Sequence, residues 1–299
     1  MANKDDRKRP LRIVRSKHPV QIATGGLVAI FLLSFIFHIA DNKNMQWPMV
    51  GHYLLDKHVL SGVRVTLLMT VVCQILAVAI GTVIAIMRLS RSRIFSAIAN
   101  GYLWFFRGTP LLVQLIFWYN LAALFPVLFL GVPFTGLGVM LKTNAVISGF
   151  TAAIVGFSLH EGAYMAEIVR AGIMSVDPGQ REAAITTGMT EAQAMRRIIL
   201  PQAMRVIVPP TGNQAINLLK ATALVAFISG GDLLSNVQDI YAVNYAVMPL
   251  LVVATIWYLA LVTVATLGQY YLERAIGKGY ARRGGGKSEA TMNVDRDIA

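Results

Sequence analysis

Arg181-Glu182-Ala183-Ala184-Ile185-Thr186-Thr187-Gly188, closing nine residues later on Ile198-Ile199-Leu200-Pro201, is a polar, patterned stretch set between apolar runs. The spacing is E-A-A, three residues, G, nine residues, I-x-L-P. On either side of it the chain avoids water. Of its 299 residues 56% are hydrophobic and 14% charged, where an average soluble domain is roughly a quarter charged. Several windows reach about 18 apolar residues, enough to cross ~30 Å of hydrocarbon as a helix. The runs are too long and too evenly apolar for barrel strands, which alternate over ~10 residues. A helix, by contrast, bonds its backbone groups internally. The composition predicts an all-α, polytopic membrane protein.

Six transmembrane helices are predicted, at roughly 22–40, 62–87, 97–130, 144–172, 206–230 and 246–270, the third long enough to be tilted or broken. The placement of the 27 basic residues tests this layout. Arg and Lys crowd the tail before the first span (Lys4, Arg7, Lys8, Arg9, Arg12, Arg15, Lys17) and the loop after the second (Arg88, Arg91, Arg93). They crowd the loop after the fourth (Arg170, Arg181, Arg196, Arg197, Arg205) and the C-terminal tail from Arg274 onward. The alternate loops hold Lys43, Lys57 and Lys142. By the positive-inside rule both termini and the 173–205 loop face the cytoplasm. The net charge of +12 is thereby explained by topology. No basic stripe is interleaved with aromatics on a polar domain, which argues against nucleic acid as a partner. The first apolar segment follows a long basic region and ends on Asp41-Asn42-Lys43-Asn44, which offers no small-residue cleavage site, so it reads as a retained span. Cys73, the single cysteine, lies in an apolar run and reads as a small core residue.

The polar stretch lies in the largest excursion between spans. Asp177-Pro178-Gly179 is a helix start, because Asp caps and Pro suits the first turn. Gly188 interrupts the helix that Glu182, Ala183, Ala184 and Ile185 favour, at a cost of about 1 kcal/mol relative to alanine. Thr190-Glu191 begins a second piece running to about Leu200, and Pro201 permits a change of direction into the fifth span. Two short helices with a hinge, lying against the membrane, are expected. Helices so short are unstable alone in water, so they need a partner: the protein's own spans, as in an ordinary interfacial connector, or another protein.

At these residues the chain resembles a family. The stretch looks like the EAA loop of the membrane subunits of ABC importers, in particular the permeases for polar amino acids. Arg107-Gly108-Thr109-Pro110-Leu111-Leu112-Val113-Gln114 is similar to that family's segment at the start of a span. The same holds for Gly162 through Ile173, Gly179-Gln180, Leu200-Pro201-Gln202-Ala203, Pro209-Pro210 and Leu219-Lys220. The resemblance covers residues 60–273 and implies the MetI-like permease fold. It implies that two permease subunits, alike or different, sit on a cytoplasmic ABC ATPase dimer, with an extracytoplasmic substrate-binding protein on the other side. Glu182, Ala183 and Ala184 would then face or support the ATPase, Gly188 would set the bend, and Ile198, Leu200 and Pro201 would complete the coupling element.

The chain has no G-x-x-x-x-G-K-[ST] phosphate loop. ATP and Mg are therefore expected on the partner, with no cofactor and no enzymatic role in this chain. The domain plan that follows is a basic cytoplasmic tail over 1–21, an extra N-terminal helix and external loop over 22–58, a transmembrane domain over 59–273, and a disordered tail over 274–299. Three features depart from the family pattern: Ala221 where an acidic residue often follows Leu-Lys, His160-Glu161 before Gly-Ala-Tyr, and the extra first span. The cargo implied is a polar amino acid or related small zwitterion, with an opine as an alternative. The expected location is the bacterial inner membrane.

Polar groups at bilayer depth usually face a cavity, a partner or a pathway. Asn213, Asn217 and Lys220 fall at i, i+4 and i+7, one helical face of the fifth span. They read as pathway lining near a subunit interface, or as interhelical hydrogen bonding. His160, Tyr164 and Glu167 share a face of the fourth span, with Glu161 about 120° away from Glu167. A carboxylate there could meet a substrate amino group or Lys220, and Glu167 with Arg170 could equally be a structural i, i+3 pair. Tyr102 and Trp104 read as interface anchors. No metal-ligand spacing or nucleophile elbow supports an intramembrane enzyme, and no inverted repeat supports a secondary carrier.

Overall fold

The computed structural model describes residues 19–131 and 138–277. The expected basic and disordered tails lie mostly outside the described residues. Two compact units are present, residues 1–47 and residues 48–299. The first holds α1 (Pro19–Ala40), a uniformly apolar helix, and a one-turn 3-10 helix, Lys43–Met45.

In the second unit α2 (Trp47–Leu54) leads to α3 (Lys57–Leu89), α4 (Arg93–Gly108), α5 (Leu111–Tyr119) and α6 (Leu121–Leu124). Two strands follow, β1 (Val127–Gly131) and β2 (Gly138–Lys142), then α7 (Thr143–Val146) and α8 (Gly149–Met174). The rest is α9 (Pro178–Thr186), α10 (Glu191–Ala194), a π segment (Met195–Ile199), α11 (Leu200–Ala221), a 3-10 stretch (Thr222–Ile228), α12 (Leu233–Asn244) and α13 (Val247–Gly277). By length and apolarity α1, α3 and α13 can each cross a membrane. The helix Glu191–Ile228 taken with α12, bent by 42°, makes up to four. α8 is long enough, about 39 Å at 1.5 Å per residue, but buries polar side chains.

α3 and α8 form the centre, and small residues let them approach. A Cβ on Gly81 would stand 2.5 Å from Met165 Cβ and 2.9 Å from Gly162 O, which is the close backbone packing that membrane helix pairs use. Met69, Cys73, Leu115, Phe157 and Leu218 fill the core beside this contact. α12 closes one end. Asp232, fully buried, caps it by accepting from Leu234 N at 3.0 Å and Ser235 N at 3.1 Å, and it also accepts from Tyr258 Oη at 3.2 Å on α13.

The expected third span over 97–130 is not one helix. Thr109-Pro110 separates α4 from α5, since Pro110 has no amide to donate and biases Thr109 to the extended backbone it adopts. Gln114, 4% exposed, closes the break. Its Nε2 donates to Phe106 O at 3.1 Å, Thr109 O at 3.1 Å and Thr109 Oγ1 at 2.7 Å. After α6 the chain leaves the helical register for the antiparallel β1–β2 hairpin, with Phe129 opposite Met140. Tyr102, expected as an interface anchor, instead donates to Leu159 O of α8 at 2.5 Å, whereas Trp104 is 77% exposed.

Pro201 does not turn the chain as expected. The helix runs from Glu191 to Ile228. Just before the proline it widens to a π turn, in which Leu200 N donates to Met195 O. A proline ring crowds the carbonyl four residues back and cannot bond it. A π bulge absorbs that defect without ending the helix.

Candidate functional site

The 173–205 segment reverses at Gly188, as its sequence suggests, but only α9 is a short helix: the second piece, from Glu191, is the start of the helix that runs on to Ile228. Asp177 Oδ1 accepts from Gly179 N at 2.8 Å to start α9 behind Pro178. α9 ends in a reversal at Gly188, whose φ of 86° is a left-handed conformation that side-chain-bearing residues resist. Met189 N returns to Ala184 O at 3.1 Å. α10 opens on a reciprocal capping box: Gln193 N donates to Thr190 Oγ1 at 3.3 Å and Thr190 N to Gln193 Oε1 at 2.9 Å.

A bidentate ion pair ties the two pieces, Arg181 Nε to Glu191 Oε2 at 2.9 Å and Nη2 to Oε1 at 2.6 Å. Hydrogen bonding from Arg181 holds the Glu191 carboxyl below the usual carboxylate range. The faces then divide. Ala184, Ala194 and Ile199 are buried, Ile198 is half-buried, and Glu182, Ala183, Gly188, Leu200 and Pro201 are exposed. Beneath the loop lies a groove of about 640 Å³ lined by Leu89, Ile173, Val176, Arg181, Glu191 and Ile199 among others.

The polar residues of α8 divide into two nodes. The His160 and Tyr164 rings meet at a 44° tilt with centroids 5.2 Å apart, and the Arg107 guanidinium stands 5.4 Å from the Tyr164 ring centre. Glu167, next along that face, accepts from Arg107 Nη1 at 3.0 Å, from Arg170 Nε at 3.0 Å and from Arg88. Three arginines from α3, α4 and α8 thus converge on one carboxylate.

The second node faces α11. Glu161, 4% exposed, accepts from Gln214 Nε2. His160 Nδ1 and Gln74 Oε1 are buried without a hydrogen-bond partner. Asn213, Asn217 and Lys220 are exposed on the flank of α11. Neither Glu161 nor Glu167 pairs with Lys220, which forms no ion pair among the described residues. Among the described residues no three His, Cys, Asp or Glu side chains gather as a metal-binding group.

Sequence reasoning missed Gln214, Arg88 and Arg107 as members of these nodes. Gln214 is one residue, about 100°, off the stripe of Asn213 and Asn217, so a search for one polar face passes it by. Arg88 read as a topology signal, and Arg107 as the first residue of a segment that opens a span. Only the packing of three helices reveals their shared carboxylate.

Comparison with known proteins gives a consistent picture. Residues 77–278 match the family described as the binding-protein-dependent transport system inner membrane component. The chain is 38% identical over 275 residues to the arginine transport system permease protein ArgU of Corynebacterium glutamicum, covering 92% of this chain and 85% of that protein. It is 32% identical to the probable glutamine ABC transporter permease protein GlnM of Bacillus subtilis, covering 72% of this chain and 91% of that one. A chain in the crystal structure of an amino acid ABC transporter with histidines superposes with a TM-score of 0.61 at 36% identity, covering 73% of this chain and 94% of its own length.

Proposed function

The chain belongs to the family of binding-protein-dependent transport system inner membrane components and is the membrane-spanning permease of an amino-acid ABC importer; from that premise we propose that the Gly188 loop is its coupling element. The observation that carries the proposal is the division of faces in the loop. Ala184, Ala194 and Ile199 are buried where α9, α10 and the π segment pack on one another, the Arg181–Glu191 pair braces them, and Glu182 and Ala183 are left open on α9. An element so held moves as a body with whatever grips its open face. The partner is a cytoplasmic ABC ATPase dimer that carries ATP and Mg. ATP-driven closure of that dimer displaces the loop, and the continuous helix from Glu191 to Ile228 carries the displacement into the spans by alternating access.

A second permease subunit fits the exposed flank of α11 that bears Asn213, Asn217 and Lys220. An extracytoplasmic binding protein delivers the polar amino acid from the other side. The membrane is the bacterial inner membrane, with the loop and both termini in the cytoplasm, as the basic residues argue.

Inside the spans the Glu161–Gln214 node is the better candidate for contact with cargo. A single neutral amide is its hydrogen-bonding partner, so no cation among the described residues competes with an ammonium group for this carboxyl. Glu167 is already engaged by three arginines.

One reconstitution with ATPase, binding protein and vesicles tests both sites. Glu182→Lys or Gly188→Arg should abolish substrate-stimulated ATP hydrolysis while the permease still inserts; full stimulation would refute the coupling role. Glu161→Gln should lower uptake by at least about tenfold, the size of losing one charge-assisted hydrogen bond of ~1.5–3 kcal/mol, with the ATPase still bound. Unchanged uptake would remove Glu161 from the pathway.

A further inference from the structure

The β1–β2 hairpin has no place in the transport cycle described above. It is apolar on both faces. In a two-stranded ribbon successive side chains alternate between faces. Phe129 and Met140, paired across the strands, are 45% and 76% exposed on one face, and Val139, on the other, is 60% exposed. A hairpin standing in water keeps at least one polar face, and an apolar ribbon with two open edges there would be an aggregation site. The hydrocarbon core is equally unsuitable, because the amides and carbonyls on those edges would have no partners. The headgroup–acyl boundary meets both demands. Apolar side chains enter the acyl layer, and water and headgroups bond the strand edges.

Two further observations point to lipid rather than protein. The exposed apolar side chains of the short helix α5, Val113, Ile116 and Phe117, are followed along the chain by exposed Leu124 and Phe125, which lead into the hairpin. The one charged side chain on the strands, Lys142, is exposed and lies at the hairpin's base. Thr143 clamps that base, its amide donating to Pro126 O at 3.0 Å and its hydroxyl to Phe125 O.

We propose that the β1–β2 hairpin is a membrane-interface foot, with Val139 and Met140 in the headgroup–acyl boundary at the α5–α6 end of the bundle and Lys142 against the lipid phosphates. A long amine-bearing side chain at that depth reaches the anionic phosphate layer while its stem stays among apolar groups. The inference rests on the membrane placement of α5 and is independent of the coupling loop and of the cargo.

Spin labels on the full-length chain in phosphatidylethanolamine–phosphatidylglycerol vesicles test it, with Val139→Cys and Met140→Cys as the reporting sites. Cys73 is fully buried and stays unlabelled. Val113→Cys on α5 is the lipid reference. Val243→Cys, in the last turn of α12 where the side chain is 80% exposed, is the water reference. Oxygen should relax both hairpin labels more than a water-soluble nickel chelate does, as at Val113, with the order reversed at Val243. Adding Phe129→Asp and Lys142→Glu should shift the Val139 label toward the water reference. Nickel dominance at 139 and 140 would overturn the proposal by placing the hairpin in water. Exclusion of both reagents would overturn it by showing a protein cover, a second copy or another subunit. Nickel dominance at Val113 would overturn the membrane placement of α5 and the inference with it, leaving the coupling reading to its own test.

Discussion

Glu167 illustrates how one side chain can organise three helices. Its carboxylate takes Arg88 from α3, Arg107 from α4 and Arg170 from its own helix, and it is 24% exposed. Three guanidinium groups held together without it would repel one another. Glu167→Ala should therefore destabilise the bundle by about 2 kcal/mol, the range for hydrogen bonds to charged groups, in mixed-micelle unfolding. Glu167→Gln should lose most of that as well, since an amide accepts hydrogen bonds but supplies no charge; equal stability of all three proteins would mean that the arginines find other partners. The i, i+3 spacing of Glu167 and Arg170 was legible in the sequence. The contributions of Arg88 and Arg107, 79 and 60 residues away in the chain, were not, because side-chain length and helix packing decide which distant charges meet. The same reason separates Glu161, which turns to Gln214, from the Lys220 it could have paired with.

At the scale of elements, the shape of the proposed coupling loop was largely readable up to Gly188. Asp177-Pro178, Gly188 and Thr190-Glu191 act where their chemistry predicts, as start, reversal and second start, and Gln193 adds a capping box that sequence reasoning missed. The loop's brace was not readable, because the i to i+10 contact of Arg181 with Glu191 exists only once Gly188 has folded α9 back on α10. That brace carries a pH signature. The Glu191 carboxyl is held below its ordinary value by Arg181, so the contribution is present above the unfolded carboxylate pKa of about 4.3 and is lost as pH falls through the lower folded value. A label pair on α9 and α10 should keep one distance from neutral pH down to about 4.3 and separate only below it; separation between pH 6 and 5 would contradict the pairing. The β1–β2 hairpin was missed because Val127–Gly131 is a short apolar run, which periodicity cannot tell from a helix segment. Pro126 and Gly131 were the available signals. The π turn before Pro201 had no signal of its own, since proline marks a defect without saying how the chain absorbs it.

For the whole molecule, the basic residues and the helix lengths make a joint prediction about sidedness. Cysteines introduced at the 90–92 corner, at the 187–189 turn and near 277 should react with a membrane-impermeant thiol reagent only in inside-out vesicles, and one at Val243 only in right-side-out cells. Labelling of the 187–189 turn from outside would reverse the orientation and remove the loop from reach of a cytoplasmic ATPase. The amino-acid sequence by itself determined that this is a helical membrane protein of the permease family, and where the chain reverses at Gly188. Those conclusions rest on local properties: apolar length against bilayer thickness, charge asymmetry across spans, and glycine and proline stereochemistry. Only the tertiary structure decided that the third apolar stretch is broken and stitched by Gln114, that Glu167 gathers three arginines, and that Glu161 faces a neutral amide. These are contacts between helices, and they depend on the rotation and depth at which each helix packs, quantities set by Gly81 and its neighbours on the facing helix rather than by any one segment's own pattern.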